Sequence, residues 1–335
     1  MPEFGFPAQH RQAAMRSLIS SLRGRSDDTR VAAVTGRYAD VTRELGGRVN
    51  ELMQIEKSIS DLQSYAESIA LSEARASTMQ QALSNATVLS QGLTDTADLL
   101  LTNGTDQNME NLSTSARFEL ASIVSAINID FGGRSLLAGD DAGTPALADD
   151  VTIFSTSVPF LEGQPTASAA YAALEAEFMN PGATYDTAFY LGGAGNAPVT
   201  EVAPGERVDY NVRADEDPIR RLLLNATVLA AAFDPANTIP DNQRRELVRQ
   251  ASAGLRSGIS QMTSIQSRLG AAEARIATMK SRNIASEASL TISFNELAGA
   301  DNYDAALTLT ELENQLEVAF ATTARLANLT LANFR

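Results

Sequence analysis

The chain has 335 residues and carries 41 Asp and Glu against 26 Lys and Arg, for a net charge of −15, with no Cys, no Trp and one His. This balance excludes a nucleic-acid binder, because no basic patch is available to neutralise phosphates. Without Cys there is no disulfide framework, thiolate nucleophile or Cys-type metal site, and with His10 alone a His-based triad lacks parts.

Residues 8–40 read as a weakly committed helix with one narrow apolar stripe, Met15, Leu18, Ile19 and Leu22. A strong stripe starts at Leu45 and runs through Val49, Leu52, Ile55, Ile59, Leu62, Ala66 and Ile69, then Ala76, Met79, Leu83, Ala86, Leu89, Leu93, Ala97 and Leu100. Its near 3.5-residue period is what two helices need to keep one seam in contact. Roughly 60 residues at 1.5 Å each would span about 90 Å, a length that needs a partner helix to match it. Thr102–Asp106 is a turn by composition, and a second helix follows over about 108–130, with Gly132-Gly133 as its expected end.

Residues 134–214 hold much of the Pro and Gly and read as loops with short strands. The strands are expected at Val151–Phe154, Tyr185–Leu191, Val199–Val202 and Val208–Val212, with a short helix over Ala167–Met179. Helical spacing returns at about 217–233. Pro240-Asp241 then opens a long segment striped by Leu247, Ala251, Leu255, Ile259, Met262, Ile265, Leu269, Ala272, Ile276 and Met279, the natural partner of the Leu52–Leu100 stripe. A break at Gly299–Tyr303, with Asp301 or Asn302 as N-cap, precedes a last amphipathic helix bearing Leu309, Leu312, Leu316, Ala319, Leu326 and Leu329. Its expected neighbour is the helix at 8–40.

The pattern predicts a mainly α chain with a β-containing insert. The N- and C-terminal segments form a long antiparallel helical rod, and the central insert is an α+β, β-rich domain. The expected division is terminal assembly helices at 1–40 plus 300–335, a rod domain at 41–139 plus 238–299, and a variable insert at 140–237. Met15, Leu18, Leu22, Leu312, Leu316, Leu326 and Leu329 are the candidate assembly interface, with Leu312 and Leu326 buried only on assembly. Ile59 is expected to lie inside the monomer.

No catalytic, cofactor or metal site is predicted. Asp140, Asp141, Asp149 and Asp150 lack the regular oxygen spacing of a calcium loop and read as turn acids. Asp215, Glu216 and Asp217 favour the start of the helix they precede. Gly192-Gly193-Ala194-Gly195 has Asn196-Ala197-Pro198 where a dinucleotide loop would open its helix, so a surface loop is expected. Arg220/Arg221 and Arg244/Arg245 read as solvated pairs, and the Asn-x-Ser/Thr triplets fall mostly inside predicted helices. No run of about 18 apolar residues occurs, and charged residues interrupt the first thirty, so no cleaved apolar leader is expected.

Several strings, in this order within the helical frame, resemble the flagellin superfamily, most closely its hook–filament junction branch (hook-associated protein 3). Ala33-Val34-Thr35-Gly36-Arg37 is similar to the family's Leu-Ser-Ser/Thr-Gly-Lys/Arg segment, and Leu100–Thr105 to its turn after the first long helix. Gly132-Gly133-Arg134-Ser135-Leu136-Leu137-Ala138-Gly139 resembles the Gly-x-x-Leu-Phe-Ser/Ala-Gly stretch of the junction branch. Ser267-Arg268-Leu269-Gly270 matches the Arg-Leu-Gly of the C-terminal rod helix, and Asp301 through Phe334 resembles the closing helix.

The resemblance implies a secreted structural subunit, not an enzyme, exported unfolded through the flagellar type III apparatus with an export chaperone. It would assemble as a ring between hook and filament, with hook-associated protein 1, flagellin and copies of itself as partners. Nucleic acid and membrane insertion have no place in that reading. A filament flagellin is the alternative within the family; a coiled-coil adhesin or secretion-needle tip protein is the alternative outside it.

Overall fold

Apolar residues at three- and four-residue steps make helix the dominant structure, and a computed structural model describes residues 8–196 and 199–332. The chain divides into a terminal unit, residues 1–64 with 283–335, and a central unit, residues 65–282. Two long helices, α3 (Val49–Asn103) and α8 (Asp241–Ala298), contribute to both. No helix among the described residues is long and apolar enough to cross a membrane.

In the terminal unit, α1 (Ala8–Thr35) pairs antiparallel with α9 (Asn302–Ala332), as the closing stripe predicts. Asp301 is the N-cap of α9, its Oδ1 accepting the N–H groups of Tyr303 (2.8 Å) and Asp304 (3.2 Å). A short helix α2 (Val41–Leu45) and a 3₁₀ turn at Gly46–Arg48 lead into α3. There Leu52 packs on Leu297 and Ala298 of α8, flanked by Val41, Leu45, Ile55 and Phe294. Asn283 lies buried in the same helix pair, donating to the Leu62 carbonyl at 2.9 Å. Ile59 is only half-buried, contrary to its expected place inside the monomer, because it falls between the buried clusters at Leu52 and at Ile69 and belongs to neither.

The central unit holds the main core. The rest of α3 pairs antiparallel with α8, marked by Asp98 to Ser252 and Arg256 and by Glu73 to Lys280 at 2.7 Å. Between them the stripe predicted from sequence is buried, including Ile69, Leu83, Leu93, Leu255, Met262 and Ile276. Each such side chain contributes about 1.5–3 kcal/mol on leaving water. Helix α4 (Asp106–Ile127) follows a turn capped by Thr105. Within the unit α4 packs on the later helix α7 (Asp217–Ala232), which is apolar round most of its circumference and therefore buried. Ser113 of α4 closes the end of α7: its hydroxyl donates to the Leu229 carbonyl (2.8 Å) and accepts the Phe233 N–H (3.0 Å).

Gly132-Gly133 do not terminate α4. They take positive φ as the turn of a minimal hairpin, β1 (Asp130–Phe131) with β2 (Arg134–Ser135). Two expected strands are also corrected. Val151–Phe154 begins helix α5 (Asp150–Leu161), because Asp149 caps it by accepting the Thr152 N–H at 2.7 Å. Tyr185–Leu191 is instead a π-helical turn at Tyr185–Phe189 leading to Tyr190, which brings Tyr185 and Phe189 against Phe178 of α6 (Ala167–Met179). Aromatic packing there outweighs the strand preference of the isolated string. The strand expected at Val199–Val202 is β3 (Thr200–Ala203), but its partner is β4 (Glu206–Val208) and not the expected Val208–Val212: the turn at Gly205 starts the return strand earlier, and residues 209–212 leave the ladder.

Candidate assembly surface

The joint between α1 and α9 is built by the Gly36 string. Gly36 has φ +67, which ends α1, and its carbonyl accepts the Ala300 N–H at 2.9 Å while Tyr38 donates to the Ala298 carbonyl at 3.2 Å. A Cβ on Gly36 would stand 2.9 Å from the Asn302 side chain, so both conformation and space call for glycine. Arg37 lies over the Phe294 ring at 5.3 Å. This joint aims the two terminal helices along each other.

Along their contact, Leu22 (6% exposed), Leu312 (2%) and Ala319 form a small cluster, with Ile19 and Leu316 packed on it. Arg30 pairs with Glu313 at 3.4 Å and Arg23 lies over the Phe320 ring at 5.1 Å. Beside the joint, the hydrogen bond to Asp28 (2.9 Å) holds the exposed Arg43 guanidinium above its ordinary pKa. Such exposed pairs contribute little to stability.

Next to the Leu22 cluster is an open groove of about 460 Å³ between α1 and α9, floored by Met15, Leu18, Leu22, Val318 and Ala319 and rimmed by polar side chains. Leu18 is 47% exposed and Val318 66%. Val34, Tyr303, Leu307 and Phe320 are further exposed apolar side chains of the same unit.

The structure thus brings Met15, Leu18, Leu22, Leu312 and Leu316 together. Leu312, expected to be buried only on assembly, is already buried against α1, since a two-helix contact encloses its central pair. The side chains of Leu326 and Leu329, and residues 1–7 and 333–335, lie outside the described residues. Sequence reading missed Val318 and Phe320. They flank the Leu316–Ala319 stripe that faces α1, and only a search for a second apolar stripe on the same helix would have found them.

The acids and the glycine loop are used locally. Asp149 is a cap, and Asp140 accepts the Gly195 N–H at 3.0 Å. Asp215 takes both guanidinium arms of Arg213, at 2.9 and 2.8 Å. Gly193 donates to the Ala138 carbonyl at 2.8 Å, and a Cβ there would fall 1.8 Å from Asp140 Oδ1, so the loop is closely fitted to its support. Ala197-Pro198 lie outside the described residues. Arg220 is not solvated: it is buried, donating to the carbonyls of Asp215 (2.6 Å) and Phe178 (3.0 Å) and to Asp186, over the Tyr185 ring at 4.4 Å. Tyr185 donates to the Ala214 carbonyl at 2.6 Å, and its burial raises the phenol pKa well above the ordinary value.

No family model matches the chain, and no curated protein matches it. Among solved structures the chain has the fold of a Vibrio parahaemolyticus protein provisionally described as a flagellar hook-associated protein. The TM-score is 0.54 at 16% identity, over 75% of this chain and 97% of that one.

Proposed function

We propose that this chain is a structural subunit of the bacterial flagellar axis, and within it a junction protein joining hook to filament. The observation that carries the reading is the α1·α9 pair, which buries its central residues yet leaves Met15, Leu18 and Val318 open along a groove. Two helices with that much apolar surface are incomplete alone, and identical subunits packed head to tail can cover it while closing a ring. The shared fold with a protein described as hook-associated supports the same assignment, as do the Gly36, Gly132–Gly139 and Ser267–Gly270 strings.

On this reading the chain acts by assembly and not by catalysis. It is exported through the flagellar type III apparatus with a chaperone, and it contacts hook-associated protein 1 on one side and flagellin on the other. Met15, Leu18, Leu22, Leu312, Leu316, Leu326 and Leu329 act in that assembly in two ways: Leu22 and Leu312 hold the helix pair, and Met15 and Leu18 meet the neighbour.

Deletion of the gene tests this. The expected phenotype is hooks without filaments, with flagellin lost to the medium. Filaments of normal length and number in the deletion strain would overturn the junction assignment. Hooks still carrying their other cap and junction proteins but no filament subunit of any kind would point to the filament flagellin instead.

A further inference from the structure

The α1·α9 pair has two edges, and they differ in chemistry. One is the groove, apolar through Met15, Leu18 and Val318, where Glu311 is the only charged lining among the described residues. Glu311 is exposed and meets no cation there; its carboxylate accepts the Gln315 amide at 3.2 Å. The other edge is basic and aromatic. Arg16, Arg23 and Arg30 recur every seven residues, about 100° round α1 from Met15, Leu18 and Leu22. On α9, Glu313 and Phe320 likewise fall away from Glu311 and Val318. Arg30 is held by Glu313, Arg23 lies over the Phe320 ring, and Arg16 is exposed with no ion pair among the described residues.

Two copies of a chain at net −15 repel each other, so a stable contact between them needs opposite charges in register. Helix α1 supplies the cations, with five arginines against two aspartates, and α9 the acids, with four against one arginine. Arg23 stacked on Phe320 forms an amphipathic knob whose ring is 43% exposed. Seated in the groove, that ring would cover Leu18 and Val318 and bring the guanidinium to Glu311.

We infer that the groove is covered by the Arg23–Phe320 edge of a second copy of this chain. The inference rests on the reading of the α1·α9 pair as an assembly surface and names what meets it. Because the two edges are different patches, the contact is heterologous: each copy gives its groove to one neighbour and its arginine edge to another. A groove-to-groove contact would stop at two copies and place both Glu311 carboxylates in one apolar cleft.

The chain has no Cys, so single introduced thiols report contacts without background. Asn314→Cys marks the groove rim, and Ser20→Cys marks the arginine edge, four residues after Arg16; both positions are exposed. The purified full chains, alone and mixed, are treated with a short bis-maleimide over a range of protein concentrations. Mixed dimers are expected, neither variant should link to itself, and the double variant should give a ladder. Phe320→Ala and Glu311→Arg, both at exposed positions, should each lower the yield of mixed dimers tenfold or more, with helix content unchanged by circular dichroism. Glu311→Arg is the sharper of the two, since it reduces the net negative charge and would favour association unless Glu311 meets a cation. Self-linking of Asn314→Cys alone would show the groove-to-groove contact instead and overturn the inference. So would absence of mixed dimers at every concentration, or a yield indifferent to Phe320→Ala and Glu311→Arg. No flagellum enters this experiment, so its failure is distinct from failure of the junction assignment, which the deletion phenotype decides.

Discussion

Leu18 and Leu312 lie on the same helix pair but do different things. Leu312 is enclosed by Leu22 and Ala319, whereas Leu18 and Val318 face an open groove. Leu18→Asp and Val318→Asp should therefore change monomer stability by no more than about 0.5 kcal/mol, yet block incorporation into flagella. Thermal unfolding and complementation of a deletion strain check both halves. Leu312→Asp should instead separate α1 from α9, by burying an unpaired charge. A different kind of residue, Tyr185, predicts the alkaline behaviour of the fold. Burial raises its pKa in the folded state above the unfolded value of about 10, so the neutral phenol's contribution is intact below that pH and is lost as pH rises through the folded pKa. Tyr190, pushed up to about 12, acts in the same sense. Tyr185→Phe should cost about 1–3 kcal/mol near neutrality, because the Ala214 carbonyl loses its donor. It should also flatten the fall in stability above about pH 10, and denaturant midpoints measured across that range would show it.

The elements owe their positions to a few small residues. On α8, Gly254 lets α7 approach so closely that an added Cβ would stand 2.2 Å from Asn225 Oδ1. Asn225 cannot move aside, since it holds the Tyr171 hydroxyl at 2.9 Å and the Arg221 carbonyl at 2.7 Å. Gly254→Ala should thus destabilise the protein by about 1–3 kcal/mol through overpacking. Gly270, on the same helix, has nothing within 4 Å of a Cβ, so Gly270→Ala should stabilise by about 0.5–1 kcal/mol. Urea titration of the two variants should give shifts of opposite sign. The long helices were legible in the sequence because one stripe, Ile69 through Leu100 against Leu247 through Met279, repeats often enough to outweigh local noise. The helix at Asp150–Leu161 was not, since a β-branched run was overruled by one cap, Asp149. Nor was the turn at Tyr185–Phe189, whose aromatic side chains find their partner only in the folded α6. The burial of Arg220 depends on one carbonyl, of Phe178, and one carboxylate, of Asp186, far along the chain, which spacing alone does not reveal. The residues along the α1·α9 pair were half legible: Leu312 and Leu22 announced themselves by period, while Val318 lay off the stripe.

For the molecule as a whole, the two units differ in how completely they bury their apolar side chains. The central unit encloses its stripe and the α7 helix, whereas the terminal unit keeps only small clusters and exposes Leu18, Val34, Leu307 and Val318. Limited proteolysis of the monomer should accordingly trim within about 1–40 and 300–335 while a fragment containing residues 65–282 persists, because cleavage follows local opening of weakly packed helices. Ends that resist protease as well as the middle would argue that the terminal helices are already complete without neighbours. The central claim, that these helices exist to be covered at the junction, is tested most directly by locating and counting the protein on isolated hook–filament preparations. The account predicts a small, fixed number of copies per flagellum, confined to the boundary between hook and filament. Distribution along the filament as its bulk protein, or absence from the preparation, would contradict it.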